Sequence, residues 1–116
     1  MQLPTEIFGE VVVVHAPDQL GGLEVDQFVK FMSRIEPKRV VLDLDNVEVI
    51  DSAGLTAILD VQDQLRTASG DLRIATNNQW NRKILEITRL SQGLDVFDSV
   101  IEAVKSYRQV PAGSNS

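Results

Sequence analysis

Four consecutive valines, Val11 to Val14, are the first strong signal in the chain. An uninterrupted β-branched run has no polar face, so it predicts a strand buried on both sides of a sheet. The extended stretch Leu3–Phe8 precedes it across Gly9-Glu10, which predicts a hairpin. Ala16-Pro17-Asp18 ends the strand, and Gly21-Gly22 frees the chain before the next element. From Leu23 to Ile35, Phe28, Phe31, Met32 and Ile35 recur at helical spacing, and Pro37 closes the helix. That aromatic and methionine face reads as core rather than as the lining of a cofactor pocket.

Val40-Val41-Leu42-Asp43-Leu44 predicts a second buried strand, continued by Val47-Glu48-Val49-Ile50. After Asp51-Ser52-Ala53-Gly54 the period changes. Leu55, Ile58, Leu59 and Leu65, with Val61 alongside, mark the inner face of a helix beginning near Gly54. Asp60, Gln62, Asp63, Gln64 and Arg66 are assigned to its outer face, and Ser69-Gly70 to a left-handed cap. Leu72–Ala75 predicts a strand, and Trp80, Ile84 and Ile87 a helix face ended by Gly93. Leu94–Phe97 predicts a last strand. Ser99 and Glu102 have capping-box spacing ahead of a face built from Val100, Ile101, Val104 and Tyr107.

Strands and helices alternate without an internal repeat or a dividing linker, which predicts an α/β class, one sheet with helices packed against it. A single domain over 1–110 is expected, with 111–116 (Pro-Ala-Gly-Ser-Asn-Ser) a disordered tail. At 43% hydrophobic and 24% charged residues, the chain has enough apolar material for one packed core. Eleven basic against 17 acidic residues give a net charge of −6, a field that repels nucleic acid and anionic membrane surfaces. The absence of cysteine removes disulfides, thiol catalysis and thiolate metal ligands. One histidine, His15, cannot build a conventional zinc site, and no metal or cofactor is expected. The start of the chain has no basic and apolar leader, and no run approaches the ~20 apolar residues of a membrane span, so a cytoplasmic protein is expected.

The most informative place is the strand-to-helix junction Asp51-Ser52-Ala53-Gly54-Leu55. A hydroxyl there lies at a helix N-terminus, where unpaired N–H groups and the macrodipole stabilise a negative group such as a phosphate. The plainer reading makes Asp51 or Ser52 an N-cap and Gly54 a turn former. A second candidate, Asp43-Leu44-Asp45-Asn46-Val47, superficially fits the nucleophile motif of haloacid-dehalogenase-like phosphatases. No downstream acidic pair supports it, and both aspartates read as solvent-facing strand positions. A receiver domain would need an acidic pair where the chain has His15-Ala16-Pro17-Asp18. His15 has no evident partner in the sequence and reads as structural, and Trp80 as core or half-exposed packing.

In order, these elements resemble the STAS domains, and among them the small bacterial anti-sigma-factor antagonists. The stretch from Val40 to Leu55 carries the resemblance, with Asp51-Ser52-Ala53-Gly54-Leu55 at its core. The end of the helix from Leu65 to Gly70, the Leu72–Ala75 strand and Leu90 to Phe97 continue it. The resemblance implies a single STAS-like domain with a mixed sheet of four or five strands and helices mainly on one side. It implies no enzyme, but a partner for a GHKL-type anti-sigma serine kinase. Unphosphorylated, such a protein binds the kinase and releases a sigma factor; phosphorylation of the serine switches it off, and a PPM-type serine phosphatase reverses this.

Carried over, Ser52 would accept the phosphate, Asp51 would orient the loop and Gly54 would keep the helix start open to the kinase. Ala53 stands where many relatives have Ser or Thr. The partner surface would include Asp18, Asp51, Ser52, Ala53 and Gly54. Relatives often show Gly-x-Leu-Asp in the loop before the first helix. This chain has Ala16-Pro17-Asp18-Gln19-Leu20-Gly21-Gly22 there instead, which leaves the partner's identity open. The alternative function is a STAS subunit of a transport or lipid-trafficking complex, docking without phosphorylation.

Overall fold

A chain that alternates buried β runs with amphipathic stretches can close its core only by crossing helices over a sheet. The computed structural model describes residues 1–36, 39–87 and 93–108. The hairpin β1 (Thr5–Phe8) and β2 (Val11–His15) leads into a short β3 (Gln19–Leu20), a 3₁₀ turn at Gly22–Glu24, and α1 (Val25–Ser33). Next come β4 (Arg39–Asp43), β5 (Val49–Ile50), α2 (Ser52–Thr67) and β6 (Asp71–Ala75). The chain continues through α3 (Gln79–Ile87), β7 (Asp95–Phe97) and α4 (Val100–Arg108).

Five strands form one mixed sheet in the order β1-β2-β4-β6-β7, with β1 antiparallel and the others parallel. Gly9 begins the two-residue hairpin turn at φ 64°, a conformation that favours glycine. The valine run divides its side chains between two layers, as its unbroken apolar pattern requires. Val12 and Val14 join Val40, Leu42, Leu72 and Ile74 under α1, α2 and α3. Val11 and Val13 join Val41 and Ala75 under Ala103, Val104 and Tyr107 of α4. Each such valine contributes about 1.5 kcal/mol or more relative to exposure. Among the described residues, three helices therefore cover one face and a single helix the other.

The last helix is fixed by polar contacts as well. The Tyr107 hydroxyl donates to the Val40 carbonyl at 2.9 Å, and the Arg73 guanidinium lies 4.0 Å from the Tyr107 ring centroid. Burial pushes the Tyr107 phenol well above its ordinary pKa of 10.0, so it stays a donor across the physiological range.

Several local expectations are corrected. α1 starts at Val25, and Leu23 is left 97% exposed on the 3₁₀ turn. α2 starts at Ser52, and β3 with β5 form a separate parallel pair that the loop composition did not announce. Gln62 is not on an outer face: it is 3% exposed and its Nε2 donates to the Gly93 carbonyl at 2.7 Å. The left-handed cap does fall within the expected Ser69-Gly70, at Ser69 (φ 66°). Ser69 N–H donates to the Arg66 carbonyl and Gly70 N–H to the Leu65 carbonyl, the paired bonds of a Schellman motif. Trp80 and Ile101 are exposed; Leu85 and Ala103 take inner positions of their helices, while Val104 and Tyr107 are buried as expected. The expected stop at Pro37, the contribution of Leu90 and the tail 111–116 lie outside the described residues, as does the side chain of Ile87.

Candidate functional site

Because β2, β4 and β6 are parallel, the segments leaving their C-terminal ends gather at one edge of the sheet. The segment after β2 and the segment after β4 pair with one another there. Gln19 aligns with Val49 and Leu20 with Ile50. The Asp18 carbonyl accepts from Glu48 N–H at 2.7 Å and from Val49 N–H at 3.1 Å, and the Leu20 carbonyl from Asp51 N–H at 3.3 Å. Asp18 thus holds this junction through its backbone, while its side chain is exposed.

Asp51 is the N-cap of α2. Its Oδ1 accepts from Gly54 N–H at 2.9 Å, and its Oδ2 reaches sideways to accept from Gly22 N–H at 3.0 Å. One carboxylate therefore caps the helix and tethers the turn that precedes α1. A Cβ on Gly21 would collide with this carboxylate, and one on Gly54 with the Leu20 carbonyl. Gly54 is buried, so it sets the close approach of α2 to β3 and offers no open surface of its own.

Ser52 is the first residue of α2 and is exposed, as is Ala53. With Asp51 as the cap, the Ser52 side chain has no capping role; among the described residues its hydroxyl and the N–H groups of Ser52 and Ala53 have no hydrogen-bond partner. A hydroxyl thus faces solvent beside unpaired donors at the positive end of a 16-residue helix.

The other candidates fall differently. Asp43 is 7% exposed, not solvent-facing, because it points along the strand end toward His15, its register partner on β2. Its Oδ2 lies 2.7 Å from His15 Nδ1 and its Oδ1 accepts from Asp45 N–H at 2.9 Å. A carboxylate engaged on both oxygens is poorly placed to attack phosphorus. His15 does have partners, since its Nε2 lies 2.7 Å from Glu6 Oε1 as well. Burial alone would lower the His15 pKa; the bonds and charges of Glu6 and Asp43 outweigh this and raise it above 6.5. Asp45 Oδ1 accepts from Asn77 N–H at 2.6 Å, which ties the segment after β4 to the segment after β6. Among the described residues no group of three or more His, Cys, Asp or Glu is arranged to hold a metal ion. No described helix is long and apolar enough to cross a membrane.

The Gly22–Asp51 tether and the His15–Asp43 pair escape a linear reading, because the partners lie 29 and 28 positions apart. The register between β2 and β4 is the signal that would have exposed the second pair. Asn81 is a further unannounced anchor: buried at the start of α3, its Nδ2 donates to the carbonyls of Leu44 and Val47.

Known proteins share this fold. The STAS-domain family model matches residues 2–103. A Thermotoga maritima protein, named as a candidate anti-sigma factor antagonist, is 25% identical over 111 residues, covering 91% of this chain and 97% of that protein. The crystal structure of an anti-sigma factor antagonist from Mycobacterium paratuberculosis superposes with a TM-score of 0.82 at 18% identity, covering 92% of this chain and 93% of that one. The anti-sigma factor antagonist SpoIIAA in its unphosphorylated form gives 0.76 at 16% identity, over 95% and 99% of the two chains. A sulfate transporter family protein from Wolinella succinogenes gives 0.78 at 19% identity, over 90% and 89%. The structural likenesses are ones of fold; with the family model matching nearly the whole sequence, the chain belongs to the STAS-domain family.

Proposed function

We propose that this protein is an anti-sigma-factor antagonist whose binding is switched by phosphorylation of Ser52. The observation that carries the reading is the state of Ser52. Its hydroxyl is exposed at the start of α2 and unpartnered among the described residues, while the neighbouring Asp51 does the capping. A free hydroxyl beside unpaired N–H groups can be reached by a kinase, and the phosphate it receives is stabilised by the helix end. The relatedness to a candidate anti-sigma factor antagonist along almost all of both chains supports the same class of partner.

The unphosphorylated form binds a GHKL-type anti-sigma serine kinase and frees a sigma factor. Phosphorylation at Ser52 ends that contact, and a PPM-type phosphatase restores it. Asp18, Asp51, Ser52 and Ala53 lie on the surface the kinase meets, and Gly54 supports them from below. The chain's role is binding, without catalysis or a cofactor of its own. The transport alternative rests on a likeness of fold to the sulfate transporter family protein, which does not bear on how this chain docks. The test is incubation with the purified kinase and ATP followed by intact mass. One phosphate on the wild type and none on Ser52→Ala is expected; an unmodified wild type would overturn the reading.

A further inference from the structure

Among the described residues, the exposed large apolar side chains fall into two places. Met1, Ile7, Phe8 and Ile101 belong to the N-terminal segment, the β1–β2 hairpin and α4. Leu23, Val49 and Trp80 belong to the edge that carries Ser52, where the segments leaving β2, β4 and β6 gather. Leu23 is 97% exposed and Trp80 67%.

None of the three sits on a loose strand of chain. The turn bearing Leu23 is tied to α2 by Gly22 N–H on Asp51 and closed by Glu24 N–H on the Gly21 carbonyl. Val49 N–H is held by Asp18. Trp80 N–H is held by Asn78 Oδ1 at 2.9 Å, and the adjoining Asn81 side chain grips the carbonyls of Leu44 and Val47. An unbroken series of hydrogen-bonded segments therefore runs from Leu23 past Ser52 to Trp80. Side chains carried on backbone that is already fixed require no ordering of that backbone when they are covered, and Trp is among the residues that most often anchor protein interfaces.

The charge of the same edge says what covers it. Segments 16–29, 43–59 and 75–81 contain no Lys or Arg. Asp18, Asp26, Asp45, Glu48 and Asp51 are exposed among them. A second copy meeting this edge with its own would bring the same acids against them, and nucleic acid would bring phosphates, so both are repelled.

We propose that the partner's footprint extends beyond Ser52 across this whole edge, with Leu23 and Trp80 as apolar anchors at its ends. The partner is a protein that offers an apolar recess rimmed by Lys or Arg. The inference rests on the proposed function and deepens it, since it assigns anchoring residues outside the Asp-Ser-x-Gly loop.

The test is titration calorimetry and stopped-flow association with the purified anti-sigma kinase, using wild type, Trp80→Ala, Leu23→Ser, Glu48→Lys and, as a remote control, Ile101→Ser. Melting curves check that each variant is folded. Trp80→Ala is expected to weaken binding about thirtyfold and Leu23→Ser about fivefold. Glu48→Lys and added salt are expected to slow association several-fold, and Ile101→Ser to change nothing. A wild-type complex with Trp80→Ala and Leu23→Ser binding equally well would overturn the footprint and leave the proposed function standing. No wild-type complex at all would overturn both.

Discussion

The backbone of Leu20 and the α-carbon of Gly54 are in direct contact, so closely that a Cβ at position 54 would overlap the Leu20 carbonyl. This contact seats the N-terminus of α2 against β3. Ala is worth about 1 kcal/mol more than Gly inside a helix, yet overpacking costs about 1–3 kcal/mol and here strikes backbone. Gly54→Ala is therefore expected to destabilise the domain despite the better helix former. Urea denaturation reads the sign; a rise in midpoint would refute the contact.

Asp51→Ala removes the cap of α2 and the tether to Gly22 together. A lost cap costs about 0.5–2 kcal/mol, and the freed Gly22 N–H is exposed to water and adds little. The distinctive expectation is local: amide exchange at Gly22 and Gly54 should quicken, while Asp51→Asn, which keeps an acceptor oxygen, should restore Gly54 more fully than Gly22. Unchanged exchange at Gly22 would show that the tether is absent in solution.

The His15 cluster predicts a pH dependence with a definite sign. Its folded pKa lies above the ordinary 6.5, because Glu6 and Asp43 favour the imidazolium more than burial opposes it. A group raised in the folded state contributes stability that is complete below the unfolded pKa and disappears as pH climbs through the folded one. Melting temperature should thus decline as pH is raised above about 6.5, and His15→Gln should flatten that decline. His15 is only half-buried and Glu6 is exposed, so the effect is small and salt-sensitive. A wild-type profile parallel to that of His15→Gln would refute it.

Ser69 holds a left-handed conformation, φ 66°, at the end of α2. Glycine adopts it without the Cβ penalty, so Ser69→Gly is expected to stabilise the domain by about 0.5–1 kcal/mol. A chemical melt measures this directly, and a loss of stability would show that the Schellman bonds do not set the end of the helix.

The element types were legible because the apolar runs are unambiguous. Val11–Val14 could be nothing but a two-sided strand, and Phe28 with Met32 marks the inner face of α1 by spacing alone. The junction at Ser52 was legible too, since hydroxyl, small residues and a change of period coincide there. What escaped depends on pairing across the fold. Asp43 looked solvent-facing because alternation along β4 was the only guide; its actual neighbour, His15, stands opposite it on β2. Gln62 and Ile101 exchanged places with expectation for the same reason, as a helix face is chosen by the layer it meets and a 3.6-residue period leaves residues at its margins undecided. Trp80 looked like core by residue type, yet the buried position on its turn belongs to Asn81.

Phosphorylation of Ser52 should act on the surface and leave the fold alone. The modification adds about −1.5 to −2 charges at pH 7. Those charges meet the unpaired N–H groups of Ser52 and Ala53 and the positive end of α2, for a local gain of about 0.3–1 kcal/mol that repulsion from Asp51 reduces. Neither balance is large enough to melt a helix whose inner face, through Ala57, Ile58, Val61 and Leu65, is buried. In the complex the same charges would be stripped of water, and a tenfold loss of affinity needs only ~1.4 kcal/mol. Ser52→Ala is expected to bind the kinase at least as well as wild type and to stay bound when ATP is added. Ser52→Asp, with one charge in place of nearly two, should melt within a degree or two of wild type and bind at least tenfold more weakly. Equal affinity of the two variants would refute a charge-driven switch; a large drop in the melting temperature of Ser52→Asp would instead place the switch in the fold.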